Sequence, residues 1–590
     1  QIFRCDNRTP PNRLDSTMCG MTSPGAPTAP AGTAAGITGD MPALEVRDLT
    51  YCYGGGATIH TRAVSEPKLL DVNCVFQQGC RVLVSGANGA GKSTLLSIMG
   101  GKKMVERSQV RVLGAAAFHD SSEARMYCGD WWRTDFFFNI TVAELIGEER
   151  MKSQRVQDLI DIMQINVSWR INAISDGQRR RCQLLDCLAL EKKVYILDEI
   201  TTDLDLYARE GLLRFLRQET EEKGATVFYA THIFDGLADW ATHCLHFSQA
   251  KIATCCTMSD LTEYHDLVAA GTRVPLYALM KKWVFQEYDA PMAVAENAVE
   301  AAHEAGIVAP SEGAVIEAKN LSYAYAAGLP NTLEDVSVSF GRGARILVVG
   351  ANGACKSTLM SILGGKRMIK RGMASILGQD CFNDPGVSKS VMYCGDWWRC
   401  NFFMNLALSD LLGAEVCKTK RCAHLVDILQ VKLDWKINDL SDGQRRRCQL
   451  LEILCTPRPV YLMDEITSDL DIFAREGILG FLRSESEIRG ATIFYCTHIF
   501  DHLEGWASHM LHMSKGRVVR SCPMEEVSEY HELIAQGHPT PLYSVIRKWI
   551  YSEYEVDGSG YKPWRKLEDT SDGRRPALGL AGPFLTASGY

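Results

Sequence analysis

The segment GANGAGKST, Gly86–Thr94, sets three glycines ahead of a lysine and two hydroxyls in the spacing G-x-x-x-x-G-K-[ST]. Such a loop closes backbone N–H groups of Gly86, Asn88, Gly89, Ala90 and Gly91 around phosphates, at the start of a helix whose dipole favours anions. Lys92 reaches the β- and γ-phosphate oxygens, and Ser93, followed by Thr94, supplies a hydroxyl for Mg²⁺. The chain repeats the pattern as GANGACKST, Gly350–Thr358, with Asn352, Gly353, Ala354, Lys356 and Ser357 in the same places. Cys355 stands there where the pattern has glycine. If that position needs a positive φ, a side chain costs about 1–2 kcal/mol. If it is already helical, the Cβ only crowds the phosphates. Nucleotide binding is expected at both loops, with either weakened function or a silent replacement at the second.

Two carboxylates end each of two apolar runs, as VYILDE with Asp198 and Glu199 and VYLMDE with Asp464 and Glu465. The first acid suits a water-mediated Mg²⁺ contact and the second a base that orients an attacking water. His232 and His498 close the following runs, TVFYATH and TIFYCTH. Each is either a γ-phosphate contact or an ordinary loop histidine.

These groups need rigid placement. CRVLVSG and ARILVVG read as short strands running into a glycine turn. The acid-ended and histidine-ended runs read as buried strands, and STLLSIMG and QRRRCQLL carry helical spacing. Strands alternating with helices predict an α/β fold with a mostly parallel sheet.

Self-similarity fixes the domain count. YCGDWWR occurs at Tyr127–Arg133 and Tyr393–Arg399, and SDGQRRRCQLL at Ser175–Leu185 and Ser441–Leu451, in both cases 266 residues apart. His232 and His498 keep that offset. The expected organisation is a disordered Pro/Gly/Ala-rich tail over 1–43, a first domain over 44–289, a linker over 290–313, a second domain over 314–556, and a loose tail over 557–590.

Composition sets the outer bounds. The chain has 590 residues, 46% hydrophobic and 23% charged, with net charge −8. That balance disfavours a dedicated nucleic-acid binder, and no apolar run of about 18 residues is present to span a membrane. The 21 cysteines include no C-x-x-C pair, which predicts reduced thiols in a reducing compartment rather than a disulfide or zinc framework.

The ordered motifs resemble the nucleotide-binding domain of ATP-binding cassette (ABC) proteins, over residues 44–289 and again over 314–556. ISDGQ (Ile174–Gln178) and LSDGQ (Leu440–Gln444) look like the family's LSGGQ signature, and TDLD and SDLD, at Thr202 and Ser468, like its D-loop. The resemblance implies ATP and Mg²⁺ as ligands, ATP hydrolysis, and adenine stacking on Tyr53 and Tyr325. It implies head-to-tail pairing of the two tandem P-loop NTPase domains. Ser441, Gly443 and Gln444 would then complete the site of Gly86–Thr94, and Ser175, Gly177 and Gln178 the site of Gly350–Thr358. Two departures stand out. Asp176 and Asp442 replace a signature glycine, and Asp130 and Asp396 stand where the Q-loop glutamine belongs. That loop couples to the membrane domain in transporters, so its replacement weakens a transporter reading. Trp131, Trp132, Trp397 and Trp398 read either as a partner surface or as core.

SDGQRRRxQLL and ATHIFDGL look closer to a soluble ABC subgroup, the yeast Ccr-Not-associated ATPase and its plant relatives, which are single cassettes. The resemblance implies a nucleotide-dependent regulator tied to a Ccr-Not-type transcription and deadenylation assembly, in the cytoplasm or nucleus. The alternatives are the ATPase subunit of a separate permease, an ABC-type translation factor, and an ATP-binding scaffold without turnover. Arg179–Arg181 and Arg445–Arg447 read as an Arg-rich helix face ahead of an RNA contact.

Overall fold

The structure, a computed structural model, describes residues 41–53, 67–129, 139–174, 176–202, 204–288, 293–308, 313–326, 328–395, 405–468 and 470–556. The expected tails therefore lie outside the described residues, apart from 41–43, where Ala43 is buried and its N–H donates to Phe76 O.

The first domain has two sheets. One is antiparallel, in the order β2–β1–β4–β5, from β1 (Leu44–Tyr51), β2 (Leu69–Phe76), β4 (Val110–Val112) and β5 (Ala115–Ala116). β2 buries alternate residues, as a strand with one face on a core must. The other sheet has six strands in the order β10–β9–β3–β8–β7–β6. These are β3 (Arg81–Gly86), β6 (Arg125–Cys128), β7 (Val194–Asp198), β8 (Thr226–Ala230), β9 (His243–Ser248) and β10 (Lys251–Thr257). Only β10 runs antiparallel in it. β3, β7 and β8 are buried along their whole length, which explains their unbroken apolar runs.

The second domain repeats both sheets. Its parallel sheet places Val460–Asp464 and Arg345–Val349 on either side of Thr492–Cys496. The α/β tandem expected from the motifs is thus the fold, with the separate antiparallel sheet added to it. Residues 293–305, inside the segment read as a linker, form a helix docked on the second domain. Ala298, Ala301 and Ala302 are buried, Lys420 pairs with Glu300, and Val308 N–H donates to Arg489 O.

Each domain sends the start of one helix into the other's core. The helices Leu206–Lys223 and Ile472–Ser484 each begin just after the D-loop. Leu206 and Tyr207 pack into the second domain's core, and Ile472 and Phe473 into the first's. The helix Pro275–Phe285 of the first domain meets Ile472–Ser484, with Tyr277 Oη donating to Glu476 at 2.6 Å and Lys281 pairing with it at 3.0 Å. The matching helix Pro541–Val556 brings Tyr543, Arg547 and Tyr551 onto Glu210.

Candidate nucleotide sites between two cassettes

β3 ends at Gly86 with φ 139°. A Cβ there would stand 2.3 Å from Phe247 O, so only glycine lets the strand turn beneath its neighbour. The loop returns through Gly91, φ 111°, into the helix Lys92–Met99. Lys92 is buried, and its Nζ donates to Gly86 O at 2.7 Å and Ala87 O at 2.9 Å, with His232 Nε2 at 3.2 Å. Burial lowers its pKa against the pull of Glu199, Asp471 and Asp198. The ammonium therefore sits inside the ring of backbone that would enclose phosphate.

Ser93 Oγ donates to Asp198 Oδ1 at 3.2 Å. Glu199 follows the end of β7 with φ 50°, its N–H held by Ala230 O on β8. A non-glycine residue at positive φ is strain of the kind that collects at functional sites. Burial, with the charge of Asp198 beside it, pushes the Glu199 carboxyl up to about 7 despite Lys92. His232 Nε2 lies 3.6 Å from Glu199 Oε1 and 3.2 Å from Asn88 Oδ1. Burial and the Lys92 charge hold its pKa well below the usual histidine range, so the ring is neutral. Glu199, His232, Lys92, Asn88, Ser93 and Asp198 thus converge.

The second site follows the same plan. Lys356 Nζ donates to Gly350 O and Ala351 O at 2.8 and 3.0 Å. Glu465 has φ 51°, and His498 Nε2 stands 3.5 Å from its Oε1. Gly353 also has positive φ, while Ala354 is buried beneath the loop. Cys355 has φ 70° and ψ 26°, so the position does require the left-handed region. The strain of about 1–2 kcal/mol applies. The Cys355 thiol donates to Gly353 O at 3.2 Å, and burial raises its pKa.

Each loop meets the opposite domain. Asn88 N–H donates to Asp471 Oδ2 at 3.1 Å, and Asn352 N–H to Asp205 Oδ2 at 2.8 Å. The other oxygen of each aspartate caps its own helix, on Ala474 N and Ala208 N. Head-to-tail pairing is therefore built on the D-loop aspartates. Ser441 is exposed and forms a capping box with Gln444 on its own helix, which Gly443 opens. Among the described residues no hydrogen bond joins Ser441 to the first phosphate loop. Gly177 and Gln178 open the helix Asp176–Leu188. Ser175, Asp130, Trp131, Trp132, Asp396, Trp397 and Trp398 lie outside the described residues.

Tyr53 and Tyr325 are exposed, with Oη bonded to Thr94 and Thr358 at 3.2 and 3.0 Å. Lys103 and Arg367 lie over their rings, 4.4 and 5.0 Å from the centroids. The Arg-rich face turns inward. Arg180 bonds Thr202 and Arg446 bonds Ser468, while Arg181 and Arg447 donate to carbonyls of their own domains.

One buried cluster escaped the sequence reading. Phe234 N–H donates to Asp501 Oδ2 at 2.9 Å and Phe500 N–H to Asp235 Oδ2 at 3.0 Å, so the loops after the two histidines cross. Arg209 and Arg475 lie against these carboxylates at 3.4 and 3.6 Å. Burial and the neighbouring Asp501 push Asp235 up to about 7. Only the repeat itself, with aspartate three residues after each histidine, marked these positions.

Among the described residues no cluster of three His, Cys, Asp or Glu side chains could hold a metal alone. A Mg²⁺ on Ser93 or Ser357 needs no such cluster, because phosphates and waters fill most of its coordination sphere. The donor set of one hydroxyl and one nearby carboxylate, Asp198 or Asp464, fits it.

The fold and the paired loops define a tandem P-loop nucleotide-binding protein. The family profile for the ABC transporter matches residues 69–202 and 333–468. ABC transporter I family member 20 of Arabidopsis thaliana is 41% identical over 262 residues, 42% of this chain and 77% of that protein. CCR4-associated factor 16 of Saccharomyces cerevisiae is 37% identical over 249 residues, 39% of this chain and 83% of that protein. The structure of an RNase-L inhibitor superposes with a TM-score of 0.55 at 17% identity, covering 83% of this chain and 93% of that one. The chain belongs to the ATP-binding cassette family and carries two cassettes. Among the described residues no helix is long and apolar enough to cross a membrane.

Proposed function

We propose that the chain is an ATP-hydrolysing switch with two composite sites of unequal rate. The observation that carries this reading is the convergence of Lys92, Ser93, Asp198, Glu199 and His232 on one loop, with Asp471 of the other cassette on the same loop. Gly86, Asn88, Gly89, Ala90, Gly91, Lys92 and Thr94 would wrap the phosphates, and Tyr53 would carry the adenine. Ser93, with Asp198 through water, would hold Mg²⁺, which supplies charge neutralisation at the β- and γ-phosphates. Glu199 orients and deprotonates the attacking water. His232, neutral, with Nε2 either accepting from Lys92 or donating to Asn88, would contact the γ-phosphate.

In the second site Lys356, Ser357, Thr358, Asp464, Glu465, His498 and Tyr325 take the same roles. Ser441, Gly443 and Gln444 would complete the first site when nucleotide draws the signature helix in, and Ser175, Gly177 and Gln178 the second. The strained Cys355 makes the second site the slower one. Lys92→Ala is expected to lose more turnover than Lys356→Ala, and Cys355→Gly to speed the chain that retains only the second site. A greater loss from Lys356→Ala reverses the order.

The likeness to CCR4-associated factor 16 supports a regulatory ATPase on a Ccr-Not-type assembly in the cytoplasm or nucleus. Affinity capture with ATP and the Glu199→Gln, Glu465→Gln chain tests this. Deadenylase-scaffold subunits are the expected catch. A multispanning permease would instead make the chain a transporter subunit, and ribosomal proteins would make it a translation factor.

A further inference from the structure

The two cassettes differ at one buried position beside the crossed loops. Gly236 follows Asp235, whereas His502 follows Asp501. The His502 side chain is wholly enclosed, with Nδ1 at 2.8 Å from Asp501 Oδ1. Its Nε2 is buried and has no hydrogen-bond partner. A neutral ring with the proton on Nδ1 satisfies both facts. Charged and titratable groups packed around it are Asp501, Arg475 and Glu476.

That bond changes what Arg475 can do. Each Asp501 oxygen already accepts one hydrogen bond, Oδ1 from His502 and Oδ2 from Phe234 N–H, so Asp501 leans less on Arg475. Arg475 Nη1 stays 3.6 Å from Asp501 and donates instead to His232 O at 3.0 Å. The first copy has no such donor at Gly236. Asp235 Oδ2 takes both Phe500 N–H and Arg209 Nη2, while Arg209 Nη1 is buried without a hydrogen-bond partner. Among the described residues no bond joins Arg209 to His498 O. The histidine rings differ accordingly. The Nε2 of His232 lies 3.2 Å from both Lys92 Nζ and Asn88 Oδ1, whereas the Nε2 of His498 lies 3.5 Å from Glu465 Oε1 and, among the described residues, bonds neither Lys356 nor Asn352.

We propose that His502 is a positioning residue for the first nucleotide site: by occupying Asp501 it releases Arg475 to hold the His232 backbone, so that the two sites are unequal by design of the interface as well as by Cys355. This rests on the reading of His232 and Glu199 as serving ATP hydrolysis.

The test uses the full chain in two backgrounds. Glu465→Gln leaves turnover to the first site, and Glu199→Gln leaves it to the second. His502→Leu is expected to lower kcat about five-fold in the first background, with KM for ATP and second-site turnover within about two-fold. His502→Asn keeps a donor where Nδ1 lies and is expected to restore the rate. Arg475→Lys, which keeps the charge but loses the planar fork, is expected to copy His502→Leu, and serves if the leucine variant does not fold. Equal losses at both sites, no loss at the first, or a loss carried by KM would overturn the assignment. So would failure of His502→Asn to restore the rate. A Glu465→Gln parent without turnover would instead overturn the hydrolase reading, and the proposal with it.

Discussion

Glu199 combines a left-handed backbone with a carboxyl held near neutrality, and the second property governs how the first site responds to pH. A base must be ionised to take a proton. Turnover of the Glu465→Gln chain is therefore expected to climb as pH rises through about 7, and a flat profile between about pH 6 and pH 8 would show that another group limits the rate. The same shift bears on folding. The folded pKa lies above the ordinary 4.5, so the folded chain keeps the proton longer. This group's contribution to stability is complete below about 4.5 and is lost as pH rises through about 7. Glu199→Gln should then raise the thermal midpoint in alkaline buffer and leave it unchanged in acid, which a melt series at several pH values reads directly. Glu199 was legible from its place at a strand end, but its shifted pKa was not, because desolvation depends on what packs above it.

At the scale of elements, the D-loop aspartates join two tasks. Asp471 caps the helix Ile472–Ser484 and accepts from the first phosphate loop, and Asp205 does both for the opposite helix and loop. Losing the cap costs about 1 kcal/mol. Asp471→Ala is expected to slow the first site more than the second, and Asp205→Ala the reverse, measured in the two single-site backgrounds. Equal slowing by both variants would mean that only helix stability is at stake. The strands carrying the site residues were readable from their apolar runs. The antiparallel sheet was missed although LLDVNCVF alternates in burial, because such short alternation competes with coil until a partner strand is known.

At the scale of the whole molecule, each cassette's C-terminal helix clamps the other's post-D-loop helix. Glu210 receives Tyr543, Arg547 and Tyr551, whereas Glu476 receives Tyr277 and Lys281. Tyr288 also stacks on Phe473 at 3.9 Å across the same interface. Both acids are half-buried, so removing one leaves its partners without an acceptor at a cost of about 1–3 kcal/mol. Glu210→Ala is expected to lower the thermal midpoint more than Glu476→Ala, since it strands more groups; an equal or reversed order in differential scanning calorimetry would contradict the clamp.

The chain's local grammar settled the phosphate loops, the acid-ended and histidine-ended strands, the tandem repeat and the family. Each of these depends on neighbours within one strand, turn or helix, and short-range sterics and periodicity encode them. Only tertiary structure decided that Asn88 meets Asp471, 383 residues away. The same holds for the crossed loops at Asp235 and Asp501, the sign of φ at Cys355, and the different environments of His232 and His498. Those are outcomes of packing between segments far apart in the chain, where desolvation and the loss of alternative partners set the energy, and no local pattern carries that information.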